Sequence, residues 1–169
     1  MLKLATLEDT RNFGALLARH LPASGVRAIL LRGGLGSGKT TLTAALVRAL
    51  PGGEEAEVAS PSFTLCNIYP TLPPLVHCDL YRAPGHAPEE LLDALDAADA
   101  LAVVEWADSL DPADLPEDFL DISLKMEEDG RLLLLQGAGP KGTALAAELA
   151  RALERGRRLP QAATVPRNG

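Results

Sequence analysis

Three sets of residues in this chain have the types and spacing for phosphate chemistry. Gly33 to Thr40 read G-G-L-G-S-G-K-T, a complete match to G-x-x-x-x-G-K-[ST] in which Gly34, Leu35 and Ser37 fill variable positions. In that pattern consecutive backbone N–H groups wrap phosphates, and Gly33, Gly36 and Gly38 permit the turn and the close approach. Lys39 brings a point charge to the β/γ-phosphates, and the Thr40 hydroxyl is suited to ligate Mg²⁺. Such a loop needs an acid at the end of a neighbouring strand, to hold Mg²⁺ or its waters and to orient an attacking water. Two segments supply one: Leu75 to Cys78 ends in Asp79, and Leu101 to Val104 ends in Glu105. Glu105 is the better match to a Walker B acid, because its strand is uniformly apolar; for both residues a carboxylate that merely ends a strand is the plainer alternative. The third set is Ser60, Ser62 and Thr64 in S-P-S-F-T, roughly 20 residues after the loop, where nucleotide switches keep a hydroxyl that senses Mg²⁺ or γ-phosphate. On residue types alone a strand-opening turn fits that segment slightly better. Trp106, the only tryptophan, reads as a core or loop anchor more readily than as a partner-facing residue. Arg82 suits a phosphate or a salt bridge equally well. His20, His77 and His86 form no metal-binding pattern and receive no role.

These residues need a scaffold, and the apolar pattern supplies one. Val26 to Leu31 is a short apolar strand, and Thr40 to Leu50 has helix-forming composition, so the glycine-rich loop sits at a helix N-terminus where the dipole favours an anion. Phe13, Leu16, Leu17 and Leu21 form a helical stripe over Thr10–Leu21, ended by Pro22. Pro51 to Glu55 is an exposed turn, Phe63 to Tyr69 has β-propensity, and Leu75 to Asp79 is a further strand. Pro88-Glu89-Glu90 opens a helix whose apolar face is Leu91, Leu92 and Leu95. Leu101 to Glu105 is the most buried strand. Phe119–Met126 and Arg131–Gly137 form a hairpin across Glu127 to Gly130, and Gly142–Gly156 contains the last helix. The expected fold is α/β: a single phosphate-loop NTPase domain over residues 1–158, with a mixed, mostly parallel sheet flanked by helices and antiparallel edge strands. Residues 159–169 lack a periodic apolar face and read as a disordered tail.

Bulk properties narrow the function classes. At 169 residues the chain holds one core, and 4% aromatic content makes that core aliphatic. A formal charge of −7 argues against a chain that grips nucleic acid by itself. Arg151, Arg155, Arg157 and Arg158 are the local exception, and cations complementing a helix end explain them more simply. Cys66 and Cys78 show no metal spacing and read as thiols in a reducing compartment. Met1 to Leu4 are followed by Glu8 and Asp9, which is not a signal peptide, and no apolar run approaches the ~20 residues that span a bilayer. The expected location is the cytoplasm, with no membrane partner.

Four blocks in order, L-R-G-G-L-G-S-G-K-T-T at 31–41, S-P-S-F-T at 60–64, D-L-Y-R at 79–82 and V-E-W at 104–106, resemble the TsaE (YjeE) family, the small ATPases of bacterial tRNA threonylcarbamoyladenosine synthesis. T-L-E-D-T before the first helix also fits, and the resemblance runs from about residue 6 to about 137. It implies phosphate binding by Gly36, Ser37, Gly38, Lys39 and Thr41, Mg²⁺ at Thr40 with Glu105, catalytic acids at Asp79 and Glu105, and Trp106 beside the second acid. The S-P-S-F-T block would be a switch-like loop. Thr10 and Arg131 are candidate adenine-side contacts. Two departures stand out: the family usually has Asp at position 34 and Thr at position 62, here Gly34 and Ser62. The function implied is ATP binding and hydrolysis in support of TsaD-like and TsaB-like partners, with tRNA engaged only through the complex and the oligomeric state left open. Two competing readings are a phosphate-loop kinase for a small metabolite and a non-catalytic nucleotide-dependent module. The kinase reading lacks an arginine-rich lid, since Asp79 to Leu101 holds only Arg82.

Overall fold

A computed structural model describes residues 1–61 and 63–158. The element order is β1 (Leu2–Leu4), α1 (Leu7–Ser24), β2 (Ala28–Arg32), α2 (Lys39–Ala49), β3 (Cys66–Tyr69), β4 (Leu75–Asp79), α3 (Glu89–Asp96), β5 (Leu101–Glu105), β6 (Phe119–Glu127), β7 (Gly130–Ala138) and α4 (Gly139–Arg158). Seven strands form one sheet in the order β1-β7-β6-β2-β5-β4-β3. The central four, β6, β2, β5 and β4, are mutually parallel, and antiparallel pairs close both edges. This is the mixed sheet with antiparallel edges that the sequence pattern predicts.

Strand alternation divides the core into two layers. Ile29 and Leu31 of β2, Leu75 of β4 and Val103 of β5 pack with Phe13, Leu17, Leu42 and Leu46 of α1 and α2 and with Leu145 and Leu149 of α4. Leu30, Val76, Cys78 and Val104 face the opposite side, where Leu91 and Ala94 of α3 cover them. Strands β2 and β5 are therefore apolar on both faces until their last residues, as parallel strands buried between helical layers must be, and β4 is so apart from His77 and Asp79. Their carboxyl ends lie together, and that is the edge of an α/β sheet where ligands bind.

Several expectations shift in detail. Helix α1 starts from a capping box, with Asp9 N–H donating to the Thr6 hydroxyl at 3.0 Å and Thr6 N–H donating to the Asp9 carboxylate at 2.8 Å. It does not stop at Pro22 but runs to Ser24 and ends at Gly25, which is left-handed at φ 71°. Proline's fixed φ is helical, so one in the last turn costs a single backbone bond, and the glycine ends the helix. On α3 the buried face is Leu91 and Ala94, and Leu92 is exposed. Strand β1 is too short to show alternation in the sequence, yet it pairs antiparallel with β7 and buries Leu4. Strand β3 begins only at Cys66, because residues 63–65 form a turn in which Leu65 has φ 63°.

Cys66 and Cys78 are not free thiols. They face each other in the β3–β4 ladder, Cα to Cα at 4.1 Å, and form a disulfide. A separation of 12 residues conceals this, because only the hairpin's register makes the two residues opposite. The reducing-compartment reading loses its basis with them. Among the described residues no helix is long and apolar enough to cross a membrane. The expected tail lies outside the described residues.

Candidate functional site

The loop between β2 and α2 takes its shape from backbone constraints the motif only partly encodes. Gly33 has φ 135°, and a Cβ there would lie 2.2 Å from the Leu124 carbonyl oxygen on β6, so no side chain fits. Gly38 caps the N-terminus of α2 at φ 103°, where a Cβ would lie 2.8 Å from Arg131 Nε. Gly34 differs from both: a Cβ there meets nothing within 4 Å, and the residue is not in the left-handed region. No packing or backbone demand requires glycine at 34, so what the departure from the family's Asp removes is a carboxylate.

Loop, β4, β5 and the segment around Ser60 enclose a cleft of about 390 Å³. It brings together Leu35, Gly36, Gly38, Lys39, Thr40 and Thr41 from the loop and α2 with Ser60, Asp79, Arg82, Glu105, Trp106 and Arg131. Lys39 is buried, its ammonium donating to the Gly33 and Gly34 carbonyls at 2.8 and 3.0 Å and lying 4.0 Å from the centre of the Trp106 ring. Burial pushes the Lys39 ammonium below its ordinary pKa, and the carboxylates of Glu105, Asp79 and Asp108 oppose that shift.

Two acids close the cleft from adjacent parallel strands, since Asp79 and Glu105 are register partners. Glu105 is 2% exposed; it accepts from the Thr40 hydroxyl at 3.0 Å through Oε2 and is 2.9 Å from His77 Nε2 through Oε1. Asp79 accepts from the Ser60 hydroxyl and, at 3.0 Å, from Tyr81 N–H. Thr40, Glu105 and Asp79 form a hard oxygen donor set, which matches a small divalent cation that takes one or two carboxylates and completes its shell with phosphates and water. Among the described residues no three His, Cys, Asp or Glu side chains converge into a self-sufficient metal cage.

Other expected residues fall in different places. Trp106 is a left-handed residue (φ 58°) whose ring packs against Tyr81 at 4.8 Å, making it the wall under Lys39. The Arg82 guanidinium lies 5.1 Å from the centre of the Phe63 ring and, among the described residues, not against a carboxylate. The Thr64 hydroxyl bonds Asn67 at 3.2 Å within its own turn and does not reach the acids. Ser62 lies outside the described residues. The Arg131 guanidinium donates to the Ser37 carbonyl at 2.8 Å, which ties β7 to the phosphate loop. Ser37 itself is buried.

Thr10 does not contact an open site. It is fully buried on the inner face of α1, with its hydroxyl 3.5 Å from the Thr6 carbonyl. Its neighbours Leu7 and Arg11 do border an opening, a hollow of about 520 Å³ shared with Thr40, Thr41, Ala44 and Ala45 of α2 and with Val58. The sequence reading misses this hollow because its apolar walls come from two helices and a loop far apart in the chain. It also misses His77, although the residue stands two positions before Asp79 on one strand and so on the same face.

The family described as "Threonylcarbamoyl adenosine biosynthesis protein TsaE" matches residues 4–134. Among curated proteins, a tRNA threonylcarbamoyladenosine biosynthesis protein TsaE from Mycobacterium bovis is 35% identical over 133 residues, covering 72% of this chain and 76% of the relative. The protein of that name from Aquifex aeolicus is 39% identical over 113 residues, with 66% and 80% covered. Among solved structures, Bacillus subtilis YdiB superposes with a TM-score of 0.70 at 26% identity, over 89% of this chain and 93% of that one.

Proposed function

The chain belongs to the TsaE family, whose role lies in tRNA threonylcarbamoyladenosine biosynthesis, and from that premise we propose that it is the ATP-binding and ATP-hydrolysing component of that machinery. The observation that carries the hydrolytic part is the bond between Thr40 at the phosphate loop and Glu105 at the end of β5. It joins the metal-binding hydroxyl of the motif to the acid a nucleotide hydrolase needs.

In this reading the backbone N–H groups from Gly36 to Thr41 wrap the β- and γ-phosphates at the start of α2. Lys39 exchanges the Gly33 and Gly34 carbonyls for phosphate oxygens, a stronger pairing for a desolvated ammonium. Thr40 and Glu105 would hold Mg²⁺, which when bound neutralises charge between the phosphates. Asp79, beside Glu105, orients the attacking water and accepts its proton. Arg131 steadies the loop backbone through Ser37. The base takes the hollow beside Thr41, where Leu7, Ala44, Ala45 and Val58 present apolar surface.

Its partners are TsaD-like and TsaB-like proteins, and hydrolysis resets their complex between catalytic cycles. The net charge of −7 fits tRNA contact left to those partners. The kinase alternative gains nothing from Arg82, which stacks on Phe63 and does not form part of an arginine lid. The test is Mg²⁺-dependent phosphate release by the chain alone and with both partners present. Slow release that rises severalfold in the complex is expected; phosphate transfer to a small acceptor, or rapid release indifferent to the partners, would overturn the reading.

A further inference from the structure

We infer that His77 is a positioning residue for Glu105, fixing the carboxylate so that one oxygen faces the phosphate-loop threonine; the inference rests on the hydrolytic reading of Glu105 given above. Strand β4 turns Leu75, His77 and Asp79 toward α1 and α2, and Val76 and Cys78 toward α3. His77 is fully buried at a level where its register partner on β5 is Val103. On its other side the register partner is the half-buried Asn67 of β3, and a β-branched or leucine residue would pack in the fully buried position of His77 without leaving a polar atom. His77 does leave one: its Nδ1 is buried with no hydrogen-bond partner among the described residues, and its ring lies 6.4 Å from Tyr69. A buried polar ring that keeps an unpaired nitrogen costs stability, so the bond it does make is what sets it apart from an apolar filler.

That bond runs from Nε2 to Glu105 Oε1 at 2.9 Å. For the imidazole to hold the carboxylate as an acceptor, the ring hydrogen must sit on Nε2, and that is the tautomer the inference requires. With Oε1 held from β4 and Oε2 accepting from Thr40 at 3.0 Å, the carboxylate is fixed at two points and its plane is set. Without the imidazole, Oε1 would be desolvated and unpaired, and the carboxylate free to rotate away from Thr40. Groups that orient a site carboxylate in this way act through it, with no contact to substrate of their own.

The test combines a spectrum with two variants. Long-range ¹H–¹⁵N correlation on the wild-type chain should show the His77 hydrogen on Nε2, with the signal identified by its loss in His77→Gln and displaced in Glu105→Gln. His77→Leu should lower turnover at saturating ATP by about 10- to 100-fold, with ATP affinity within about twofold of wild type. His77→Gln, whose amide N–H reaches the same oxygen, should recover turnover to within about threefold of wild type. The inference is overturned by hydrogen on Nδ1, by wild-type turnover in His77→Leu, or by a His77→Gln variant that melts like wild type yet is as slow as the leucine variant. A wild-type chain that binds ATP and never hydrolyses it, with or without partners, counts against the function reading instead; the spectrum then decides His77 by itself.

Discussion

Asp79 and Glu105 stand at the same level of adjacent parallel strands, yet they are held by different kinds of structure. Glu105 is gripped by His77 on β4 and Thr40 at the start of α2, both in regular elements of the core. Asp79 is gripped by Ser60, in the long connection between α2 and β3, and by the backbone of the turn after its own strand. Its own N–H donates to the Leu65 carbonyl, in the same connection, at 2.9 Å. Glu105 is therefore in place once the sheet and α2 have packed, whereas Asp79 depends on a loop's conformation. Loops open more easily than packed strands. In the proposed reaction, the acid better placed to respond to an arriving phosphate is therefore Asp79.

That contrast orders the experiments. Glu105→Gln keeps shape and removes charge, and should cut phosphate release by about 10²- to 10³-fold while ATP still binds; unchanged release would remove Glu105 from the chemistry. Lys39→Ala bears on both acids equally, because it removes the cation proposed to hold the phosphates in the cleft they share. By calorimetry its ATP affinity should fall about 100-fold, the loss of charge-assisted bonds worth ~3 kcal/mol. Reduction of the Cys66–Cys78 disulfide loosens only the Asp79 side, since Cys78 precedes Asp79 and Cys66 follows the loop. Closing a short loop is worth about 2–3 kcal/mol, so the melting temperature should fall when a thiol reductant is added. Ser60→Ala should slow release by about tenfold or less, in the direction of Asp79→Asn, and leave the His77–Glu105 signal unmoved. The smallest effect belongs to Gly34→Asp: with open space around Gly34, stability should change by no more than about 0.5 kcal/mol, and a large loss would mean that the loop's shape needs glycine there.

How much of the site could be read from the chain follows from how local each feature is. The phosphate loop is eight consecutive residues between a strand and a helix, and it folds where its pattern says. Asp79 and Glu105 are legible because each ends a segment that reads as a strand, the one before Glu105 uniformly apolar. The side on which Thr10 lies is not legible, because a threonine in the first turns of a helix can face either way; α1 turns it into the core and leaves Leu7 and Arg11 at the opening. His77 is not legible, because a lone histidine carries no pattern; it acquires meaning only when β4 and β5 lie side by side.

By itself, then, the sequence determined the α/β alternation, the phosphate-binding octet, the two acids and the family, all carried by short-range patterns of apolar and chemical residue types. The tertiary structure alone decided which acid is held by the core and which by a loop, that Cys66 meets Cys78, that His77 meets Glu105, and where an apolar hollow adjoins the cleft. The physical reason is that these are matters of strand register and of packing between elements distant in the chain. A one-residue slip in register would turn every one of those side chains to the other face.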